Sequence, residues 1–137
     1  MPRRLLFAAL GAATLSAAAQ TMEPGEWQFT STMSSPMLPA PQTSTFTQCV
    51  KQEDADDPTR FNPRDQTADC KVTPGRRTPD SYAWTVSCPQ QGMRGEGVAR
   101  FGRGQVESEM HVVASAQGQS IEMRTKVTGR RLGPCKS

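Results

Sequence analysis

The chain has 137 residues, with 16 basic and 13 acidic side chains and a formal net charge of +3 at pH 7. Two of the positive charges are Arg3 and Arg4, and residues 20–137 are left with 14 basic and 13 acidic side chains. A nearly neutral chain of this size gives no argument for nucleic-acid binding and is long enough for one small domain.

The first nineteen residues have the three-part pattern of a secretory signal peptide. The two arginines precede an apolar run from Leu5 to Ala18, and Ala17–Ala19 is a small-residue cleavage site. The run is shorter than the roughly 20 residues that a transmembrane helix needs. We therefore expect Met1 to Ala19 to be a signal peptide, residues 20–137 to form a single exported, periplasmic domain, and the mature chain to lack a transmembrane segment.

Alternation of apolar and polar side chains predicts strands in the rest of the chain. The segments that alternate most clearly are residues 27–33, 82–88, 106–112 and 121–127. Weaker patterns predict strands at Thr43–Val50 and Cys70–Thr73. The polar segment 51–68 is predicted to be a long loop with a helical turn near Gln52–Asp57.

The last two strands are predicted to pair with Met110 opposite Met123. That register also places Glu109 opposite Arg124, so one alignment satisfies apolar and ionic pairing together. The turn would fall near residues 116–118.

The preceding hairpin is predicted to turn at Arg103–Gly104, because glycine readily adopts the positive φ of a tight turn. Its register places Gly97 opposite Met110 and Gly95 opposite Val112. Small residues opposite bulky ones would let the sheet coil or close.

These elements predict an all-β fold: a single antiparallel up-and-down curved sheet, or partly closed barrel, of about seven strands. The inner, concave face is predicted to carry the following side chains: Trp27, Phe29, Phe46, Val72, Trp84, Val86, Val106, Met110, Ile121, Met123 and Val127. Large aliphatic side chains are scarce in this chain. We therefore expect disulfide bonds to supplement a lean core.

The four cysteines are predicted to form two structural disulfides. The Pro74–Asp80 turn places Cys70 nearly opposite Cys88, which favours the pairs Cys70–Cys88 and Cys49–Cys135 among three connectivities. A zinc site is disfavoured because no two cysteines have C-x₂-C spacing. No redox or haem motif is present either.

No catalytic constellation is visible, and we predict that the protein is not an enzyme. His111, the only histidine, falls on the outward parity of its strand, and no nucleophile elbow accompanies it. Glu107 and Glu109 share a face, as a hydrolase pair would. Their match to basic residues on the next strand favours a salt-bridged surface.

No catalytic, cofactor or metal site is predicted. The acidic segment 53–57 lacks the internal glycine and closing glutamate of a calcium loop. Methionines with His111 could ligate Cu(I) in an exported protein, but Met110 and Met123 fall at inward positions where methionine fills gaps in a core. A Cu(I)-binding protein therefore remains only a minor alternative.

Several motifs together resemble an uncharacterised family of exported bacterial proteins, domain of unknown function 3617. They are Pro24-Gly25-Glu26-Trp27, Cys70-Lys71-Val72-Thr73, Trp84-Thr85-Val86-Ser87-Cys88 and Gly129-Arg130-Arg131-Leu132-Gly133-Pro134-Cys135. The resemblance covers roughly residues 22–136. It implies a small periplasmic all-β protein and brings no activity, cofactor or functional residue with it.

Two hypotheses on function remain open. In the first, a non-catalytic envelope protein binds a small apolar ligand or an envelope partner on its concave face, with Trp27, Phe29, Trp84, Met110 and Met123 facing the ligand. In the second, the chain is a structural or protein-interaction module that uses its basic last strand and its edges.

Overall fold

The computed structural model describes residues 22–55 and 70–136 of the chain. The elements in chain order are β1 (Gly25–Ser34), β2 (Gln42–Val50), α1 (Gln52–Ala55), β3 (Lys71–Thr78), β4 (Ser81–Cys88), a 3₁₀ turn (Pro89–Gln91), β5 (Met93–Gly102), β6 (Gln105–Ala116) and β7 (Gln119–Gly133). The predicted signal peptide lies outside the described residues, as does most of the loop predicted at 51–68.

All seven strands belong to one antiparallel sheet in the order β2-β1-β7-β6-β5-β4-β3. This is the neighbour order of an up-and-down barrel that stays open between β2 and β3, which form the two edges of the sheet. The prediction of an all-β, single-sheet, disulfide-stapled fold is confirmed, and the sheet does not close.

The β5–β6 hairpin has the predicted register. Gly97 lies opposite Met110 and Gly95 opposite Val112. Gly104 has φ +64° in the turn after Arg103. Glycine adopts this positive φ without steric cost, which fixes the position of the hairpin.

The β6–β7 register differs from the prediction by two residues on one strand. Met110 lies opposite Thr125, not Met123, and Glu109 lies opposite Lys126. The physical reason is the turn, where Gln117 has φ 52° and Gly118 has φ 76°. A two-residue turn with both central φ angles positive favours glycine, which Gly118 supplies at the second position, and this sets the centre of the hairpin between Gln117 and Gly118. A shift of two preserves which face each side chain occupies.

Strand β3 extends beyond the segment predicted from sequence. The prediction ended it at Thr73 and assigned Pro74–Asp80 to a turn, whereas β3 continues to Thr78 and the turn is confined to Pro79 and Asp80. The pairing with β4 shifts between Pro74 and Arg77, which marks a bulge. An edge strand with a bulge can contain proline because the missing N–H donor need not pair.

One face of the sheet, here called the apolar face, carries Trp27, Phe29, Val106, Tyr82 and Trp84, all of them buried. They form two clusters, one around Trp27 and Phe29 and the other around Tyr82 and Trp84. Phe101 packs against both clusters, so the core is continuous across the sheet.

Two aromatic rings of the apolar face cover glycines on neighbouring strands. Trp84 is paired with Gly97, and Phe29 with Gly129. A Cβ atom at Gly97 would overlap the Trp84 ring, and one at Gly129 would lie 2.8 Å from the Phe29 ring. These glycines leave the space in which the rings lie flat on the sheet.

The predicted inner-face residues all follow the parity of the apolar face, but they are unequally buried. Trp27, Phe29, Trp84 and Val106 are buried, whereas Phe46 on edge strand β2 is 47% exposed. The remaining members are half-buried: Val72, Val86, Met110, Ile121, Met123 and Val127. An edge strand has a neighbour on one side only, which explains the exposure of Phe46.

The two disulfides have the pairing that the sequence favoured. Cys49 is bonded to Cys135 with a Cα–Cα distance of 5.4 Å, and Cys70 to Cys88 with one of 4.2 Å. Cys49 lies on β2 and Cys70 directly before β3, so one disulfide fastens each edge of the sheet. No free cysteine occurs among the described residues.

Candidate functional site: a polar trough

The face opposite the apolar core carries hydroxyls and charges in cross-strand rows, and we call it the polar face. One row runs through Thr85, Glu96, His111, Arg124 and Ser34, on five neighbouring strands from β4 to β1. The strong twist of long strands turns such a row into a shallow concavity. The polar face therefore offers a site with charged groups at defined spacing.

The larger of two cavities described for the sheet lies on this face, and we call it the polar trough. Its volume is about 580 Å³. It is lined by Thr32, Ser34, Gly75, Ala83, Trp84, Thr85, Glu96, Gly97, Val98, Glu109, Met110, His111, Arg124, Thr125 and Lys126. Because strand side chains alternate, Trp84 and Met110 turn their side chains to the apolar face and contribute backbone here.

Only some of the charges at the trough are used in ion pairs. Lys126 Nζ lies 3.0 Å from Glu107 Oε1. His111 Nε2 lies 3.3 Å from Glu122 Oε1. The two atoms are close, but their orientation does not meet the geometry of a hydrogen bond. Within residues 22–55 and 70–136, Glu96, Glu109 and Arg124 make no ion pair within 4 Å. Glu109 lies opposite Lys126 and interacts with its charge, so Glu96 and Arg124 are the two charged groups most available to a ligand or partner.

The hydrogen bond with Glu107 raises the pKa of Lys126, and the negative charges of Glu107 and Glu109 add to the effect. The lysine is thus a stable cation on the polar face at any physiological pH. Because the group is solvent-exposed, the pair with Glu107 positions the side chain more than it stabilises the fold.

A second cavity of about 430 Å³ lies on the same face near the β5–β6 turn. Its charged groups are Arg100, Arg130 and Glu107. Arg130 Nε donates a hydrogen bond of 3.1 Å to Gln28 Oε1, which orients the guanidinium along the sheet. The basic last strand noted in the sequence thus contributes to both cavities through its outward side chains.

The side chains predicted to face a ligand lie on the other side of the sheet. Trp27 and Phe29 belong to one core cluster and Trp84 to the other. Met110 and Met123 are half-buried on the apolar face. Trp84 and Met110 line the polar trough, but strand parity directs their side chains to the apolar face. Contact of the five side chains with a ligand therefore stays a prediction.

Trp84 has one unusual feature. Its Nε1 is buried and has no hydrogen-bond partner among the residues that the structure describes, whereas Trp27 Nε1 donates to the carbonyl of Glu23 at 2.8 Å. A buried N–H without a partner costs roughly 1–3 kcal/mol. An acceptor atom supplied by a bound molecule would remove that cost.

The alternation of the strands separates the side chains considered for Cu(I). His111 lies on the polar face, and Met110 and Met123 on the apolar face. In the described part of the chain, no three His, Cys, Asp or Glu side chains come together as a metal site would require. The acidic segment considered for calcium lies partly outside the described residues.

An open seven-stranded antiparallel sheet with a disulfide at each edge defines the class of this domain. The sequence of residues 22–135 matches the family model described as Protein of unknown function (DUF3617), and the chain belongs to that family. No curated protein and no solved structure matches the chain.

Two features bear on the compartment. The two disulfides indicate an oxidising compartment, because cytosolic thiols are normally kept reduced. In the described ranges, no helix combines the length and the apolar character that crossing a membrane requires.

Proposed function

We propose that the chain is a non-catalytic periplasmic protein that binds a polar ligand or a peptide segment of an envelope partner in the polar trough. The observation that carries this proposal is the 580 Å³ cavity with the carboxylate of Glu96 and the guanidinium of Arg124, neither of which makes an ion pair with a described residue. The disulfides and the signal-peptide pattern of residues 1–19 support the periplasmic assignment.

The spacing of the free charges indicates the chemistry of the ligand. Glu96 on β5 and Arg124 on β7 lie in one cross-strand row, with His111 on β6 between them. Neighbouring strands are about 4.8 Å apart, so the two opposite charges are separated by roughly 10 Å. A short peptide with an ammonium group and a carboxylate matches this separation. The hydroxyls of Thr85 and Ser34 extend the row at both ends.

Binding without catalysis is favoured by the surroundings of His111. Its Nε2 lies 3.3 Å from the Glu122 carboxylate, and the cysteines are bonded in disulfides. A general base needs a proton-bearing nucleophile within about 3 Å, and His111 has none among the hydrogen bonds of the described residues. The carboxylates Glu107 and Glu109 are accompanied by Lys126, as expected for a solvated ionic surface.

The experiment combines native mass spectrometry of the protein recovered from its own envelope with an NMR titration using trialanine as a zwitterionic probe. We expect amide shifts in β5, β6 and β7 around the trough. The charge-neutral double variant E96Q/R124Q should weaken binding at least tenfold. The matched variant E23Q/R76Q, which alters exposed charges outside the trough, should bind normally. Shifts confined to other residues, or equal affinities of the two variants, would contradict the proposal.

A second candidate, an apolar ligand on the apolar face, is favoured by the unpartnered Nε1 of Trp84. A lipid chain with a carbonyl or carboxylate oxygen would supply both the apolar contact and the missing acceptor. Palmitate titrated against tryptophan fluorescence distinguishes this case. The change in emission should vanish in W84F and persist in W27F if the acceptor reaches Trp84.

A further inference from the structure

Edge strand β2 presents an unusually long unprotected edge. Residues 42–49 are all exposed, and the nine pairs with β1 run from Gly25–Val50 to Met33–Gln42 without a bulge. The segment Gln42–Val50 contains no charged residue and no proline. Natural edge strands normally carry at least one such device, because free backbone N–H and C=O groups attract another strand.

The chain protects its other edge in the usual way. Strand β3 carries Lys71, Arg76 and Arg77, contains Pro74 and is interrupted by a bulge. Each of these features discourages an incoming strand. The lack of protection on β2 is therefore a local property of that strand and is not shared by the whole sheet.

The sequence of β2 is nearly symmetric about Thr45. Gln42 and Gln48 lie three residues to either side, and Thr43 and Thr47 lie two residues to either side. Antiparallel pairing of two copies about Thr45 would therefore place threonine opposite threonine on the polar face and Gln42 opposite Gln48 on the apolar face. Threonine pairs of this kind already join β1 to β2, with Thr30 and Thr45 hydroxyls 3.2 Å apart.

The apolar face would gain contacts from the same pairing. Phe46 is 47% exposed, and its ring lies 5.4 Å from that of Phe29. About Thr45, Phe46 would face Ser44 of the second copy. The two Phe46 side chains would then be diagonal neighbours, within reach of aromatic contact. The aromatic row of each sheet would continue into the other.

We propose that β2 pairs antiparallel with β2 of a second copy about Thr45, so that two open sheets join into one continuous fourteen-stranded sheet. The interface is isologous, because the same strand contributes to both sides of a two-fold axis. The unprotected edge, its exposure and its internal symmetry all follow from this arrangement. It leaves the polar trough of each copy accessible.

Sedimentation analysis of the oxidised chain across a range of concentrations tests the proposal. We expect a monomer–dimer equilibrium that the variant T45K weakens at least tenfold, because two ammonium groups would meet on the axis. The variant T128K places the same charge on the polar face of β7, in the row of Thr30 and away from the edge. It should leave the dimer intact, and circular dichroism checks that both variants fold.

The register has its own test. A cysteine at position 45 should form an intermolecular disulfide, since Thr45 would face its own copy. A cysteine at position 43 should not, because its counterpart would lie four residues away along the strand. A wild-type chain that stays monomeric at several hundred micromolar, or a dimer insensitive to T45K, would overturn self-pairing. If the β2 amides exchange more slowly only when an extended peptide is added, then the partner of β2 is a different protein and self-pairing is overturned.

Discussion

The two edge strands of this sheet, β2 and β3, differ in how they are protected against pairing with another strand. Strand β3 is protected by basic side chains, a proline and a bulge, whereas β2 is regular, neutral and exposed along its length. Yet each edge is fastened by one disulfide. The comparison indicates that the disulfides secure both edges covalently, while side-chain chemistry determines which edge is open to pairing with another strand.

Removing the disulfides should give the largest difference between the edges. The bond of β2 joins residues 86 apart in sequence and the bond at β3 residues 18 apart. In the chain-entropy model, their loss costs about 4.5 and about 3 kcal/mol respectively. Urea unfolding of C49S/C135S and C70S/C88S, compared with the oxidised chain, measures both. A greater loss for the shorter loop would show that native-state geometry outweighs chain entropy.

Filling the glycine positions tests whether the two halves of the core are equally tight. G97A would place a methyl group against Trp84 on the β3 side, and G129A against Phe29 on the β2 side. Each should cost about 1–3 kcal/mol of unfolding free energy through overpacking. The nearest atom to a Cβ at Gly102 is 3.9 Å away, so G102A is the matched control and should cost almost nothing. Thermal unfolding of the three variants measures the loss of unfolding free energy in each.

Removing the protection of β3 should make the two edges alike. In the variant P74T/R76T/R77T, the strand loses its proline and two cations while its pairing partner β4 is unchanged. We expect concentration-dependent association through β3, at least tenfold stronger than any that the wild-type edge shows. Light scattering in the T45K background isolates this effect from pairing through β2. Unchanged mass in that background would mean that the bulge and Lys71 are sufficient to protect β3.

The smallest expected effect concerns the ionic surface between the edges. Because Glu107 raises the pKa of Lys126, the pair contributes stability below the ordinary lysine value of about 10.5. That contribution is lost as the pH rises through the raised pKa. K126M should therefore lower the unfolding midpoint slightly at pH 7 and not at about pH 12. K71M, in which no described ion pair is removed, should show no such pH dependence.

Parity and turn chemistry explain what could be predicted from the sequence. Alternation assigned each strand residue to its face, and Gly104 fixed the β5–β6 register. The β6–β7 register predicted from charge pairing is wrong by two residues, because the turn at Gln117 and Gly118 sets the hairpin. Pro74 and Gly75 predict the end of a strand, although an edge strand accommodates both at a bulge.

The polar trough could not be predicted by the same means. Parity identifies which side chains share a face, but it does not give the twist that gathers residues from β1 to β3 around one cavity. Nor does it give the diagonal contact by which Lys126 reaches Glu107 although Glu109 lies directly opposite it. Both depend on the three-dimensional course of several strands at once.

The position of β1 between β2 and β7 has a consequence for the order of assembly. Strand β1 pairs with β7, and Trp27 lies opposite Arg131. The part of the sheet that contains Trp27 is therefore complete only after β7 has formed. A nascent chain that ends at β6 holds a separate N-terminal hairpin and a separate meander. The native partner of Cys70 lies 18 residues away, whereas Cys49 has its native partner only when Cys135, 86 residues away, is present. Contacts this distant in sequence slow folding, and here they make the completion of the sheet depend on β7.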